Sequence, residues 1–578
     1  MKKSLKKRGQ KFIKKFSRVS ARASEEGKEH IKENLIDRFS HIADIRLLIL
    51  EWGLLVIALI MLAVTQAFWF GDSYAENSFT DGGTYTEATI GEVSSMNPLF
   101  ASTSSEKVLS RLLFATISTI DYSGHPGIGL AKSILPSENG KVWTVKLREG
   151  LKWSDGEPIT NEDVIFTINL IKNPAVNSIY ETNFSNVKIS EGESGEIIFT
   201  LPSVYADFIS ALNVPVLPKH ILENVDPKTL VEDSFSTSPV TSGAFTFNAV
   251  QSGATSAEEV YYLSANPNYY KGRPMLNSFA VHTYPDEGSV IRAINAGAVT
   301  ATAEISGPEV GEVISGQFNL KNSSLNSGAF MFFNTTSGVM KNGELRAAIR
   351  QGIDMEKIRA EAPETIALDY PLISSQIELE KWPAIPGRDF ESAKNKIAEI
   401  AGDSAINVQI ATVNSGYLPG VANAIASELE GLGLTVNVST YEENQEFLTN
   451  IISKRNYDIL VYEIELGADP DLLPYYHSSQ ATASGLNLSN YRNVLVDDLL
   501  LGARDTLDIT LRARKYETFL EYWVTGVPAI GLYRPNLTYL YNRNVRTYGN
   551  NVRLVTALDR FSDITSWAAA KTTKNRTP

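Results

Sequence analysis

Residues 142–171 read VWTVKLREGLKWSDGEPITNEDVIFTINLI, and the interpretation of the whole chain starts from this stretch. Trp143, Val145 and Leu147 alternate with the polar residues Thr144 and Lys146. An apolar side chain at every second position is typical of a strand with one buried face. The first part of the stretch therefore predicts a half-buried β-strand.

The second part of the stretch predicts a turn followed by a capped helix. Asp155-Gly156 is a tight-turn dipeptide, because glycine adopts a positive φ without steric cost. Thr160, with Asp163 three residues later, has the spacing of a capping box at the start of a helix. The apolar stripe of that helix ends at Ile171, shortly before a proline that cannot continue it.

The composition sets limits on the architecture. At 578 residues the chain is too long for one hydrophobic core, so about three or four structural units are expected. Apolar residues make up 43% and charged residues 21% of the chain, as in ordinary globular proteins. The sequence contains no cysteine, which excludes disulfides, thiolate metal sites and a cysteine nucleophile.

Charge is distributed unevenly along the chain. Residues 1–46 carry 14 basic and 6 acidic side chains, a net charge of +8. Subtracting this from the whole-chain charge of −13 leaves −21 for residues 47–578. An acidic body of this kind argues against nucleic acid as a partner.

The basic N-terminal segment has two interpretations. Residues 1–22 contain ten basic residues and no acidic ones, with apolar residues at roughly helical spacing among them. This pattern suits an amphipathic helix on an anionic cytoplasmic membrane surface. The alternative is a disordered basic tail that only enforces membrane topology.

Residues 52–70 (WGLLVIALIMLAVTQAFWF) contain no charged residue. As a helix they would span about 28 Å, enough for the hydrocarbon core of a bilayer. A cleaved signal peptide is the competing interpretation, but the preceding segment of about 50 residues is too long for its n-region. We predict an uncleaved signal-anchor, with the basic segment in the cytoplasm and the body outside the cell membrane.

No catalytic or metal-binding motif is found in the sequence. There is no GxxxxGK[ST] phosphate loop, GxSxG elbow or HExxH helix, so neither ATP hydrolysis nor the two common hydrolytic chemistries are indicated. The six histidines stand alone, without ligand spacing to other candidate ligands. We predict a protein that is not an enzyme, with no cofactor and no metal.

The sequence resembles a known family. Residues 143–168 are similar to the signature of the family 5 extracellular solute-binding proteins, the oligopeptide- and dipeptide-binding group of ABC importers. Further similar segments follow in the family's order: Asn97–Leu99, Pro239–Phe245, Asn266–Tyr270 and Leu345–Asp354. The resemblance implies an α/β, two-lobed, periplasmic-binding-protein-like fold of type II, the large peptide-binding class with an extra subdomain. Here one transmembrane helix precedes that fold, and no lipid-modified N-terminal cysteine is available as the tether.

The resemblance and the pattern of elements together give a domain prediction. Strands alternating with helices in the second half predict a mostly parallel sheet covered on both faces. The predicted segments are a basic cytoplasmic segment 1–50, a transmembrane helix 51–70, a stalk 71–83, lobe I at 84–328 with an inserted subdomain at about 100–235, lobe II at 329–528, a return to lobe I at 529–567, and a polar frayed tail 568–578.

The resemblance also implies a ligand site between the lobes. Peptide-binding relatives have Trp, two residues and then Asp before an Asp-Pro turn, where the Asp binds the peptide's amino group. Here Tyr462 takes the Trp position and Glu465 the Asp position, with one extra residue before Asp469-Pro470. Glu465 and Asp469 are therefore candidate ligand contacts. The alternatives are a solvated loop acid for Glu465 and a turn former for Asp469.

Two further loops would line the cleft by resemblance. Lobe I would contribute backbone groups at Ser94, Ser95 and Met96, and lobe II would contribute Thr412, Asn414 and Tyr417. No arginine lies in residues 412–417 to hold the carboxylate of a dipeptide, which favours longer peptides. A structural role in the core is the alternative for Tyr417 and Tyr462.

The leading functional prediction is a membrane-anchored protein that binds oligopeptides and delivers them to an ABC permease. A second class is a sensor or scaffold that reports ligand to a cytoplasmic partner through the basic N-terminal segment. A third is a carrier of another solute, such as an oligosaccharide or a metal chelate, on the same fold.

Overall fold

The computed structural model describes residues 42–73, 75–79, 81–253, 258–313, 316 and 318–575. By internal contacts the chain divides into residues 1–78 with 572–578, and residues 79–571. Among the residues that are described in full, no helix is long and apolar enough to cross a membrane. The predicted surface helix at residues 1–22 lies outside the described residues.

The predicted flexible stalk at residues 71–83 differs in the structure. The helix Ile42–Ser73 continues past Gly71, and the strand Ala75–Phe79 follows it. A single glycine costs a helix only about 1 kcal/mol relative to alanine, so Gly71 does not end it. Regular secondary structure therefore occupies much of the predicted stalk.

The predicted tail at residues 568–578 also needs correction. Residues Ala568–Asn575 form a strand, and Ala568 and Ala569 pair antiparallel with Arg546 and Val545. Ala568 is completely buried, which anchors the start of the strand.

Lobe I is built on a mixed sheet. In spatial order its strands are Phe318–Ser324, Asn536–Asn542, Ala301–Thr302, Thr84–Ile90, Ser278–Tyr284, Glu259–Ala265 and Phe245–Ser252. The strand Thr84–Ile90 pairs parallel with both of its neighbours, and the other pairs are antiparallel. Helices and 3₁₀ segments of this lobe include Pro98–Phe100, Ser104–Leu113, Glu287–Asn295, Gly307–Glu312 and Ala557–Ser566.

A smaller sheet lies within the range predicted for the inserted subdomain. Its strands, in spatial order, are Ala131–Pro136, Val142–Leu147, Ile197–Thr200 and Lys188–Glu191, and a separate hairpin joins Ser118–Ile120 to Pro126–Ile128. Helices and 3₁₀ segments here are Asn161–Ile171, Glu181–Phe184, Phe208–Ala211, Lys219–Leu222, Pro227–Thr229 and Ser234–Ser236. One continuous hydrophobic core joins this subdomain to lobe I.

The strand, turn and helix predicted for residues 142–171 are present. Trp143 and Val145 are buried on the strand, and Gly156 has a φ of +98° in the turn. Asp163 accepts a hydrogen bond from the Thr160 backbone N–H at 2.8 Å, which completes the capping box. It also accepts one from the Lys219 N–H at 2.9 Å, so the helix start is tied to a distant segment.

Lobe II contains the second mixed sheet. In spatial order its strands are Ile366–Ala367, Ala529–Arg534, Ser327–Phe333, Ile459–Glu465, Asn407–Val413 and Thr435–Tyr441. Its α-helices include Gly343–Gly352, Met355–Ala360, Phe390–Ala401, Leu418–Gly431, Gln445–Phe447, Leu473–Tyr476, Val494–Arg504 and Ile509–Gly526, with a π-helical turn at Leu448–Ile452 and a 3₁₀ turn at Ser478–Gln480. The three strands at Asn407–Val413, Thr435–Tyr441 and Ile459–Glu465 pair parallel, and Ser327–Phe333 pairs antiparallel.

The point at which the chain returns to lobe I differs from the prediction. The strand Ala529–Arg534 pairs with Ser327–Phe333 inside the sheet of lobe II. The return therefore begins at Asn536, not at Ala529. The prediction missed this because a short, almost fully buried strand fits either sheet equally well by its apolar pattern.

Candidate functional site

The two lobes are joined by two segments that run side by side. The first passes through Leu325 and Asn326, and the second through Arg534 and Pro535. The Leu325 N–H donates to the Pro535 carbonyl at 3.2 Å, and Arg534 Nη2 donates to the Leu325 carbonyl at 2.9 Å. Two short, mutually bonded connections between rigid sheets have the geometry of a hinge.

A cavity of about 580 Å³, named cavity A, lies between the lobes beside this hinge. Lobe I supplies the segment 303–307 and the strand ends at Leu325 and Leu537. Lobe II supplies the segments 363–365 and 414–418. A ligand in cavity A would therefore contact both lobes.

The lobes touch each other at the rim of cavity A. A Cβ atom placed on Gly307 of lobe I would lie 2.0 Å from the Tyr417 hydroxyl oxygen of lobe II. Asn322 Nδ2 of lobe I donates to Glu364 Oε2 of lobe II at 2.9 Å, and Asn536 of lobe I donates to the Glu364 carbonyl. The structure thus has the lobes closed onto each other at this rim.

Glu304 lines cavity A from lobe I. Its carboxylate accepts a hydrogen bond from the Ser104 hydroxyl. Desolvation raises the pKa of Glu304, and the negative charge of Glu87 adds to the rise. The Ser104 hydrogen bond and the positive charge of Arg560 act in the opposite direction. Burial thus disfavours the ionised form of Glu304, and the Arg560 charge offsets part of that cost.

Glu463 lines cavity A from lobe II, on the strand Ile459–Glu465. Desolvation raises its pKa to about 7, and the neighbouring charges of Glu465 and Glu443 add to the rise, whereas a hydrogen bond from Ser327 lowers it. Glu463 therefore changes its charge near neutral pH.

A second cavity of about 500 Å³, named cavity B, shares Ala303 and Glu304 with cavity A. It is lined mainly by lobe I and by the inserted subdomain, and its charged residues have both signs. The basic ones are Lys107, Arg111 and Arg560. The two adjoining cavities offer room for an elongated ligand.

Three of the residues predicted from the sequence line these cavities. Asn414 and Tyr417 line cavity A, and Glu465 lines cavity B. The Glu465 side chain is exposed, and the Tyr475 hydroxyl donates to its backbone carbonyl. The Asn414 amide donates to Glu442 at 3.0 Å.

Two other predicted residues are engaged inside lobe II. Asp469 accepts hydrogen bonds from both terminal nitrogens of Arg512, with Nη1 at 2.9 Å from Oδ1. The Tyr462 hydroxyl donates to Glu443. Neither residue lines cavity A or cavity B, so neither carries a free group toward a ligand there.

The remaining predicted residues also lie away from the two cavities. Thr412 is fully buried and donates to the Val461 carbonyl at 2.9 Å. The Ser94 and Ser95 N–H groups donate to Glu106, at 2.8 and 3.3 Å, and the Met96 N–H donates to the Ser236 carbonyl at 2.8 Å. These groups stabilise the loops that carry them.

The sequence interpretation did not single out Glu304 or Glu463. Glu463 precedes Glu465 by two positions, so the period of a strand places both on one face. This alternation could have indicated Glu463 as a candidate site residue once Glu465 had been chosen. Glu304 follows a strand of two residues, Ala301–Thr302, which is too short to show a pattern.

No group of three or more His, Asp or Glu side chains is arranged to hold a metal ion within the part of the chain that the structure describes.

The Asp469–Arg512 pair leads to a prediction about stability. Its side chains are 15% and 6% exposed, and removing one partner of a buried pair costs about 3–5 kcal/mol. We expect Asp469→Asn to lower the urea midpoint strongly, measured by tryptophan fluorescence. The matched control is Asp369→Asn, whose carboxylate is 56% exposed beside Arg359 and contributes less than about 1 kcal/mol. Equal effects of the two substitutions, or loss of ligand affinity at unchanged stability, would contradict this structural role.

Comparisons with known proteins place this geometry in a family. The family model described as "Bacterial extracellular solute-binding proteins, family 5 Middle" matches residues 126–485. The oligopeptide-binding protein AppA of Bacillus subtilis is 24% identical over 498 residues, covering 81% of this chain and 89% of AppA.

Solved structures agree with the fold. AppA from Bacillus subtilis in complex with a nonapeptide superposes with a TM-score of 0.69 at 22% identity, covering 86% of this chain and all of AppA. NikZ from Campylobacter jejuni in complex with Ni(L-His) gives a TM-score of 0.70 at 22% identity, covering 84% of this chain and 99% of NikZ. The chain has the α/β periplasmic-binding-protein fold, and it belongs to the family 5 bacterial extracellular solute-binding proteins, the non-enzymatic substrate-binding components of ABC transporters.

Proposed function

We propose that this protein captures oligopeptides in the cleft between its lobes and delivers them to an ABC permease. The observation that carries the proposal is the pair of adjoining cavities of about 580 and 500 Å³ that share Ala303 and Glu304. Together they reach the upper end of the range of small-ligand pockets, which suits an extended chain. The similarity to a peptide-binding relative supports the same ligand class.

The cavity walls carry groups that suit a peptide backbone. Asn414 and Asn536 line cavity A with amide side chains whose nitrogens also donate to Glu442 and to the Glu364 carbonyl, and Ser415 and Gly416 line it beside Tyr417. Amide and main-chain partners bind a peptide backbone without reading its side chains. Closure of the lobes around the hinge would then surround the bound peptide.

Among the residues predicted from the sequence, we assign direct ligand contact to Asn414, Tyr417 and Glu465. Each lines one of the two cavities. The other predicted residues act indirectly in this proposal, because they line neither cavity and their polar groups stabilise the loops and strands that carry them. They are Ser94, Ser95, Met96, Thr412, Tyr462 and Asp469.

The proposal predicts that the full chain carries peptides when it is purified in detergent without refolding. Native mass spectrometry should show a heterogeneous set of added masses, and fragmentation should identify them as short peptides. Release of an oligosaccharide or a metal chelate instead would contradict the peptide proposal and leave the fold unchanged. A homogeneous, empty protein that no peptide pool stabilises against heat would favour the sensor or scaffold function.

We also propose that the protein is anchored by residues 52–70, with its N-terminus in the cytoplasm and its lobes outside. The support is the sequence: this segment has no charged residue, and a basic segment precedes it. Tethering would raise the effective concentration of the binding protein at its permease.

The anchor predicts that the protein stays in the membrane pellet after alkaline carbonate extraction. Ile60→Arg places a charge at the middle of the apolar segment, which costs about 2.5–3.5 kcal/mol in insertion, so a larger fraction should be released. The control Gln66→Asn keeps the segment uncharged and should remain in the pellet. Release of the unchanged protein into the supernatant would contradict the anchor.

A further inference from the structure

The two cavities differ in the charge of their walls. Among the described residues that line cavity A, every charged side chain is a glutamate: Glu287, Glu304, Glu364 and Glu463. Cavity B also carries the basic residues Lys107, Arg111 and Arg560. The cleft is thus acidic at its hinge side and has mixed charge beyond Glu304.

The glutamates of cavity A accept hydrogen bonds from neutral donors, and Glu304 also lies in the field of the Arg560 charge. Ser306 donates to Glu287 through its N–H at 2.6 Å and its hydroxyl at 2.8 Å. Ser104 donates to Glu304, and Asn322 donates to Glu364 at 2.9 Å.

Glu463 also accepts a hydrogen bond from a neutral donor, the side chain of Ser327. Neutral donors position a carboxylate but do not cancel its charge, and desolvation makes an uncompensated anion costly. No basic residue lines cavity A in the described part of the chain, so a positively charged ligand group would stabilise the ionised form of these carboxylates, and of Glu463 in particular.

A metal ion does not fit this arrangement. In the described part of the chain, no three His, Asp or Glu side chains converge as metal ligands. Carboxylates spread around a cavity of about 580 Å³ suit a larger, organic cation.

Glu304 and Glu463 also lie on different lobes. Glu304 belongs to lobe I, and Glu463 lies on a strand of the lobe II sheet. A cation between them would interact with both lobes only when the cleft is closed. Its binding would then favour the closed state, because a ligand shifts an equilibrium by its differential affinity for the two states.

We propose that cavity A selects peptides that carry a lysine or arginine side chain, which Glu304 and Glu463 bind from opposite lobes. This inference rests on the proposed peptide-binding function and adds the class of peptide. An ammonium or guanidinium group would donate charge-assisted hydrogen bonds to these carboxylates, the stronger kind in proteins.

The selectivity should depend on pH. Cation binding needs ionised carboxylates, and desolvation with the charges of Glu465 and Glu443 raises the pKa of Glu463 to about 7. The other ionisable groups that interact with Glu463 are the phenols of Tyr462 and Tyr533, whose pKa values lie above the neutral range. The affinity for a cationic peptide should therefore fall as the pH decreases from 8 to 6.

The test uses calorimetric titration of the full chain in detergent with alanine tetrapeptide pools. In each pool, one alanine of the tetrapeptide is replaced by the same residue, which is lysine, norleucine or glutamate. The pool contains the peptides with that replacement at each of the positions. Lysine pools should bind about tenfold or more tightly than norleucine pools, since one charge-assisted hydrogen bond gives a difference of that order. Glu304→Gln and Glu463→Gln should each remove most of this advantage. Glu430→Gln, which removes an exposed charge from the same lobe as Glu463, should leave it unchanged.

Several outcomes would overturn the inference. Equal binding of lysine and norleucine pools would reject it and leave peptide binding intact. Failure of every pool to bind would reject peptide binding and this inference together. If the glutamine variants fold poorly, the unchanged protein still decides: a lysine advantage that does not decrease between pH 8 and pH 6 contradicts the assignment to these carboxylates.

Discussion

The hinge constrains the rest of the structure. Leu325 and Pro535 lie on the two segments that join the lobes, and a backbone hydrogen bond of 3.2 Å links them. Arg534 adds hydrogen bonds to the Leu325 carbonyl and to the Asn326 side chain. Each lobe has its own sheet on either side of these residues, so bending here moves whole sheets and leaves their strand pairing unchanged.

This constraint explains why the ligand cleft needs residues from distant parts of the sequence. Cavity A is bounded by segments on both sides of the hinge, from Glu287 to Thr538. Carboxylates from the two lobes face the same space, and Gly307 leaves room for the Tyr417 ring at the rim. In the proposed function, recognition of the ligand and closure of the lobes would therefore depend on the same contacts.

Much of the fold could be predicted because its signals are local. The strand, turn and helix of residues 142–171 depend on alternation, a turn dipeptide and a capping box, all within thirty residues. The predicted return to lobe I at Ala529 was wrong because sheet membership depends on long-range pairing. The tail was judged by its polar composition, although Ala568 is completely buried.

The candidate site was harder to predict because its contacts also join residues that are far apart in the sequence. Asp469 looked like a ligand contact in the sequence, but Arg512, which is 43 residues away, engages its carboxylate. Asn414 and Tyr417, which were predicted by resemblance, line cavity A, and their contact with a ligand stays a prediction. No sequence pattern around Glu304 indicates a site residue. Its position between the two cavities is visible only in the folded structure.

Closure of the lobes around a peptide is the central claim, and an inter-lobe distance tests it most directly. The sequence contains no cysteine, so spin labels will react only with cysteines that are introduced. We would introduce one in each lobe, with Glu312→Cys on lobe I and Glu446→Cys on lobe II. The lysine-containing tetrapeptide pool should shorten the label distance in this protein. Gly307→Val should reduce the change, because a Cβ atom there would lie 2.0 Å from the Tyr417 hydroxyl oxygen, so the Tyr417 ring would have to move out of its position at the rim. Gly311→Val, where a Cβ meets nothing within 4 Å, should not reduce it. A distance that stays the same with and without peptide, or that shortens equally in Gly307→Val, would contradict the account.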